Sequence, residues 1–191
     1  ADFKSPESVY SETKQICEEI INKSKCSSIS LRYFNPIGTH SSILIGDCSA
    51  DKPSNLVPVI AEKSLGIRQN LIVNGNDYLT HDGTCIRDYI HVMDLADAHI
   101  KAFDFLMHNK FKKFAFNVGT GKGMSVLDII KLFEKVNNIK IDYSIGPRRK
   151  GDVEIIYADS RKITKLLNWE PTRSLNDALI SEYKWKKLQI C

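Results

Sequence analysis

The sequence is short of the features that mark several protein classes. Its 191 residues include five cysteines, an odd number at irregular positions (Cys17, Cys26, Cys48, Cys85 and Cys191), with no C-x-x-C pair. This argues against a disulfide framework and a structural zinc site, and leads us to expect a reducing, cytoplasmic setting and no bound metal. No run of about 18 apolar residues is present, so no membrane span is expected. The first residues lack the apolar core of a signal peptide, and the chain opens on Ala1, so the start is expected to be a cut within a longer protein. Charge of one sign is also scarce. Lys and Arg number 27 against 23 Asp and Glu, a net charge of +4, and the only tight basic groups are Lys110, Lys112, Lys113 and Arg148, Arg149, Lys150. That is too dispersed for a nucleic-acid surface, and no such partner is expected. Internal repeats and low-complexity stretches are missing.

What is present is an apolar share of 42%, ample for a core, and alternating strand and helix patterns. Ser5-Pro6-Glu7 carries an N-cap residue, a proline at the first helical position and an acid in the first turn. The helix should run to about residue 22, with Val9, Ile16, Cys17, Ile20 and Ile21 facing a core. Residues 27–34 read as a strand broken by Asn35-Pro36. Further helices are expected at 55–65, ending at Gly66, and at 94–108, 125–136, 160–167 and 174–188. Further strands are expected at 71–73, closed by Asn74-Gly75, and at 114–118 and 139–145. Ser125-x-x-Asp128 fits a capping box. Alternation of this kind implies an α/β fold. Because a βαβ chain normally begins with a strand, the upstream part of the fold is expected to be absent.

The most informative stretch is 77–97, where a polar loop runs into Arg87-Asp88-Tyr89, a short strand and a helix. Arg87 and Tyr89 are two apart and share one face of an extended backbone. A guanidinium fork beside an aromatic suits a phosphate and a ring; a surface ion pair and a half-buried tyrosine remain the plainer account. Tyr10 and Lys14 are four apart on the first helix, where an ammonium stabilises a phenolate that can take a hydroxyl proton. Tyr183 and Lys187 repeat the spacing at a place that leads nowhere. Gly119, Gly121 and Gly123 follow a strand, but the third glycine falls one position early for a dinucleotide turn, so a tight strand-to-helix turn is the better account. Arg148, Arg149 and Asp152 suit a pyrophosphate and a ribose, or a solvated basic loop. The histidines (His40, His81, His91, His99, His108) have no metal-ligand spacing, and nothing marks a cysteine nucleophile.

Together these segments resemble the UDP-glucose 4-epimerases of the extended short-chain dehydrogenase/reductase family. The matching stretches are Tyr10-x-x-x-Lys14, LRYFNPIGTH (31–40), SNLVPVIAE (54–62), NGNDYLTHDGTCIRDYIHVMDLADAH (74–99), FNVGTGKGMSVLDII (116–130), PRRKGDV (147–153) and YADSRK (157–162). The resemblance implies an α/β fold in which residues 1–36 are the last part of a Rossmann NAD-binding domain. Residues 37–191 would then mainly form a smaller UDP-sugar-binding domain, with segments packing back on the Rossmann sheet. It implies an NAD-dependent exchange of UDP-glucose and UDP-galactose through a 4-keto intermediate, in a protein that dimerises at full length.

On that resemblance Tyr10 is the catalytic base and Lys14 its partner, both also holding the nicotinamide ribose, and Phe34 lines the nicotinamide. Asn35 contacts the UDP-sugar. Asn55, Leu56, Ile72, Val73, Asn74 and Arg87 contact uridine diphosphate, Arg149 and Asp152 close the far side of that site, and Ile156 stands at a gate for N-acetylated sugars. The chain departs from the pattern in several places. The glycine-rich NAD turn and the catalytic Ser or Thr are missing, so the fragment alone is expected to be inactive. Ser54 replaces Asn, Asn74 replaces an aromatic, and Ile156 leaves the sugar specificity open. Sibling UDP-sugar epimerases, decarboxylases or dehydratases, and a non-catalytic nucleotide-sugar module, are the alternatives.

Overall fold

The computed structural model describes residues 9–48, 53–109 and 112–190. The Ser5-Pro6-Glu7 helix start lies outside them. The first described helix, α1 (Val9–Lys23), leads into β1 (Ser28–Tyr33), which pairs in parallel with β5 (Lys113–Val118). On β1 the alternation works as the pleat dictates. Ile29 and Leu31 enter a core, while Arg32 turns to the other side and clasps Glu18 of α1 with two bonds of 2.7 Å. That clasp, and the Lys113 ammonium on the Asn22 and Ser24 carbonyls, tie α1 down. The expectation that Val9, Ile16, Cys17, Ile20 and Ile21 face a core is overturned: α1 buries none of its residues, and Ile20 is 63% exposed. The reason is that α1 touches the sheet along its Glu18 side, and no described element packs across its apolar side.

Asn35-Pro36 does not break the chain. It carries it from one sheet to the next as β2 (Asn35–Ile37), parallel to β4 (Ile86–His91), with Asn35 opposite Tyr89. β4 is the central element. Its Tyr89 enters one core and its Ile90 the other, because consecutive strand residues point to opposite faces. The first core lies between β1, β5, α3 (Val92–His108) and α5 (Arg161–Leu167), around Phe116, Val118, Ile163 and Trp169. The second joins α2 (Leu56–Ser64), α4 (Val126–Asn137) and α6 (Leu175–Leu188) around Ile60, Ile129, Phe133 and Leu179. Tyr183 belongs to this core, its ring edge-on to Phe133 at 5.9 Å.

β6 (Gly123–Ser125) runs antiparallel to β4, and β8 (Ile155–Ile156) pairs parallel to it at Ile86 and Arg87. β8 is too short for its periodicity to show in the sequence. β3 (Ile72–Asn74) pairs with β7 (Ser144–Gly146). The strand expected over 139–145 forms only at its end. Before that, the Ile141 N–H donates to the Glu134 side chain of α4 rather than to a neighbouring strand. The capping box is present: the Ser125 hydroxyl accepts from the Asp128 N–H at 2.9 Å, and the Asp128 carboxylate accepts in return.

The 119–123 turn is structural, and Asp88 explains why. Its fully buried carboxylate accepts from the Thr120 N–H and hydroxyl, the Gly121 N–H and the Ala158 N–H at 2.6–3.1 Å. One side chain of β4 thus anchors both the glycine turn and the chain before α5. A Cβ on Gly119 would lie 2.6 Å from that carboxylate, so only glycine admits the approach.

Candidate functional site

The first half of β4 forms one wall of a cleft of about 200 Å³. Cys85, Arg87 and Tyr89 line it in period two, as residues on one strand face must. Asn35 comes from β2, Asn74 from the end of β3, and Asn55 and Leu56 from the start of α2. Arg149 and Asp152 approach from the loop before β8. Asn55 is the N-cap of α2 and makes no side-chain cap bond, so its amide stays available to a ligand beside the positive end of the helix.

The electrostatics centre on Asp152. Its Oδ1 lies 3.7 Å from Arg87 Nη2 and its Oδ2 3.6 Å from Arg149 Nε. Both separations are ion pairs without a formed hydrogen bond. Arg87 Nη1 donates to the Ile86 carbonyl at 2.9 Å, which aims the fork across the strand. Two guanidiniums facing one carboxylate leave a net positive cleft, suited to a diphosphate. Burial pushes the Tyr89 phenol well above its ordinary range, so it serves as a neutral wall.

Of the residues singled out from sequence, the cleft gathers Asn35, Ser54, Asn55, Leu56, Asn74, Arg87, Tyr89, Arg149 and Asp152. The others stand elsewhere. Tyr10 is 72% exposed on α1, with the Lys14 ammonium 5.3 Å from its ring centre, and neither lines the cleft. Phe34 is half-buried between β1 and β2. Val73 is in the second core, and Ile72 points outward at 54% exposure. Ile156 sits on β8 opposite Arg87 and is partly exposed. Arg148 is held away by Asp77 at 2.7 Å and lies over the Tyr78 ring at 4.2 Å.

Sequence reasoning missed Cys85, Val59 and Val126 as lining residues. Cys85 was legible, since the period-two pattern of Arg87 and Tyr89 extends back to it. It also missed the grouping of His81, Asp82 and Asp128, whose ligating atoms lie within 4.8 Å of one another. These groups already bond to protein. Asp82 accepts from Thr84 and from the Ser125 hydroxyl, and Asp128 from the Ser125 N–H. They staple the 77–84 loop to the start of α4. Burial works to raise the Asp82 pKa, but those hydrogen bonds and His81 together hold it below the ordinary range.

Comparison with known proteins places the chain. A family model described as GDP-mannose 4,6 dehydratase matches residues 2–181. A UDP-glucose 4-epimerase of Drosophila melanogaster is 44% identical over 186 residues, covering 94% of this chain and 53% of the relative. One from Bacillus subtilis is 40% identical over 186 residues, covering 95% and 55%. The crystal structure of UDP-glucose 4-epimerase from Bifidobacterium longum in complex with NAD+ and UDP matches with a TM-score of 0.93 at 37% identity, over 99% of this chain and 57% of that one. A structure from Stenotrophomonas maltophila, with bound NAD and formylated UDP-arabinopyranose, matches with a TM-score of 0.92 at 37% identity, over 98% and 57%. The chain spans about half the length of the curated relatives it matches.

Proposed function

The chain belongs to the family described as GDP-mannose 4,6 dehydratase, and from that membership we propose that it is the UDP-sugar-binding portion of an NAD-dependent epimerase exchanging UDP-glucose and UDP-galactose through a 4-keto intermediate. The observation that carries the reading is the convergence of Arg87, Arg149, Asp152 and three asparagines on one cleft, joined to relatives that are named UDP-glucose 4-epimerases.

Arg87 and Arg149 grip the diphosphate oxygens, exchanging the long pairs with Asp152 for charge-assisted bonds. Asn35, Asn55, Leu56, the 72–74 stretch and Asp152 hold the nucleoside and the inner edge of the sugar. Most contacts fall on the nucleotide and few on the hexose, so a 4-keto sugar can turn over while its UDP stays fixed. Ile156, opposite Arg87, sets the room beside the hexose.

NAD fits the residues before and after β1 in chemical kind. A hydroxyl and a cation one helical turn apart, with the ammonium over the ring, suit a ribose beside a nicotinamide, and Phe34 adds an aromatic face. Tyr10, Lys14 and Phe34 would hold it. The chemistry it would supply there is reversible acceptance of a hydride. Tyr10, as a phenolate stabilised by the Lys14 ammonium, takes the proton of the sugar 4-hydroxyl, holds it as a neutral phenol while the sugar is a ketone, and then returns it. Residues 1–36 belong on this reading to the NAD-binding domain and residues 37–191 mainly to the substrate domain. The core that β5, α3 and α5 share with β1 fits segments of the second part packing back on the Rossmann sheet. The uncovered apolar side of α1 suits a homodimer, and four free cysteines among the described residues suit the cytoplasm.

The test is product analysis in the protein that carries this chain. UDP-galactose should yield UDP-glucose, and Tyr10→Phe should lower kcat at least about a hundredfold with UDP binding intact. The 191-residue chain alone should bind UDP and show no turnover with added NAD. A Tyr10→Phe protein of full activity, or a different UDP-sugar product, would overturn the assignment.

A further inference from the structure

The cleft has a direction along β4. Tyr89 lines one end of it opposite Asn35 of β2, and Phe34 precedes Asn35. Cys85 lines the other end, four strand residues and roughly 13 Å away, with Arg87 between them. On the function proposed above, on which this inference rests, the hexose meets Asn35, the diphosphate meets Arg87, and the nucleoside falls at the Cys85 end. Beside Cys85, and against the chain that follows Asn74, stands Tyr78.

Tyr78 is only 5% exposed, and its ring is held from two directions. The Arg148 guanidinium lies over the ring at 4.2 Å, and Asp77 holds that guanidinium at 2.7 Å. The backbone of Gly75 lies against the ring edge, so close that a Cβ there would meet it at 2.7 Å. The Tyr78 N–H donates to the Gly83 carbonyl at 3.0 Å, which fixes the backbone as well. A ring so held cannot swing its hydroxyl toward another acceptor. That hydroxyl is buried and has no hydrogen-bond partner among the described residues, a costly state for a polar group. Burial, then the Cys85 thiol, pushes the phenol up to about 12, so at pH 7 it is neutral and carries a proton to donate. Cys85 and Asp152 are both near enough to act on the phenol, and both line the cleft. A donor held still at the wall of a cleft, with nothing to donate to, calls for an acceptor inside it.

We propose that Tyr78 is a further substrate-binding residue, whose hydroxyl donates to an oxygen of the nucleoside once the small Cys85 side chain turns aside. The experiment compares Tyr78→Phe with the parent in the protein that carries this chain. Titration calorimetry reads the affinities for UDP and UMP, and the thermal midpoint is taken without nucleotide. The variant keeps the ring between Gly75 and Arg148 and removes only an unsatisfied hydroxyl, so the midpoint should hold or rise. UDP affinity should fall about threefold to tenfold, the worth of one neutral hydrogen bond, and UMP affinity should fall by the same factor. A purely structural tyrosine cannot give that combination of kept stability and lost affinity. The proposal is overturned if the variant binds UDP as well as the parent does, as it would were the hydroxyl bonded to a trapped water. It is also overturned if the loss disappears with UMP, which would put the contact on the outer phosphate, or if the midpoint falls. A parent protein that binds no UDP would overturn the reading of the cleft itself, and the inference with it.

Discussion

Arg87 Nη2 and Asp152 Oδ1 stand 3.7 Å apart, close enough to attract and too far to bond. Asp152 therefore restrains the fork without using up its donors. On the proposed reading, an incoming phosphate would take those donors from Asp152.

The first prediction follows from that pair. Arg87→Lys keeps the charge and loses the planar fork, so it should weaken UDP binding roughly tenfold to a hundredfold, about 1.5–3 kcal/mol. Titration calorimetry measures this, and an unchanged thermal midpoint would show that the loss lies in the site. UDP affinity equal to that of the parent would remove Arg87 from the nucleotide contacts.

Asp88 should behave as a structural carboxylate. Asp88→Asn puts an amide where backbone donors converge, so at least one buried N–H loses its acceptor and the charge-assisted bonds weaken. A loss of about 3 kcal/mol or more in urea unfolding is expected. Asp159→Asn, which loosens an exposed pair with Arg161 and weakens one bond from the Arg161 N–H, should cost about 1 kcal/mol or less. Similar losses for the two would refute the anchoring role of Asp88.

Two glycines separate steric from conformational cost. A methyl on Gly119 meets the Asp88 carboxylate and Ala158 Cβ, both at 2.6 Å. Gly66 has φ +74° and nothing within 4 Å of a Cβ. Gly66→Ala should cost about 1 kcal/mol, the strain of a left-handed backbone. Gly119→Ala should cost several times as much, read as the difference in denaturant midpoints.

Glu182 predicts a pH dependence. It is 3% exposed and its Oε1 has no hydrogen-bond partner. Burial, then the nearby Asp47, pushes its pKa up to about 7, against the opposing effects of Lys186 and the Gly38 N–H. The folded pKa lies above the unfolded one, near 4.5. The stability this group contributes is therefore complete below pH 4.5 and is lost as pH rises through 7. The full swing is up to about 3 kcal/mol. Glu182→Gln should flatten that part of the profile, leaving the variant more stable than the parent at pH 8 relative to pH 5. Parallel urea midpoints at both pH values would show that Glu182 titrates normally.

Some of this molecule was readable residue by residue. The Ser125 capping box, the helix that Asn55 opens, and the Gly75 turn with φ +80° each rest on neighbours a few positions apart. So does the shared face of Arg87 and Tyr89. Local rules of period, cap and turn are sufficient there, because the partners travel together along the chain.

Other features needed the folded chain. Asp88 reads as one more charged residue until β4, the glycine turn and the chain before α5 are brought around it. His91 reads as a histidine without metal spacing until α6 closes over it. The apolar pattern of α1 is genuine, yet which side touches the sheet was settled by the reach of Glu18 to Arg32. The sequence alone determined the α/β alternation, the long helices and strands, and the residue kinds of the Arg87 cleft. Only the tertiary structure decided which carboxylates are anchors and which donors stay free. A polar group's role depends on its partners and its burial, and those come from segments far apart in the chain.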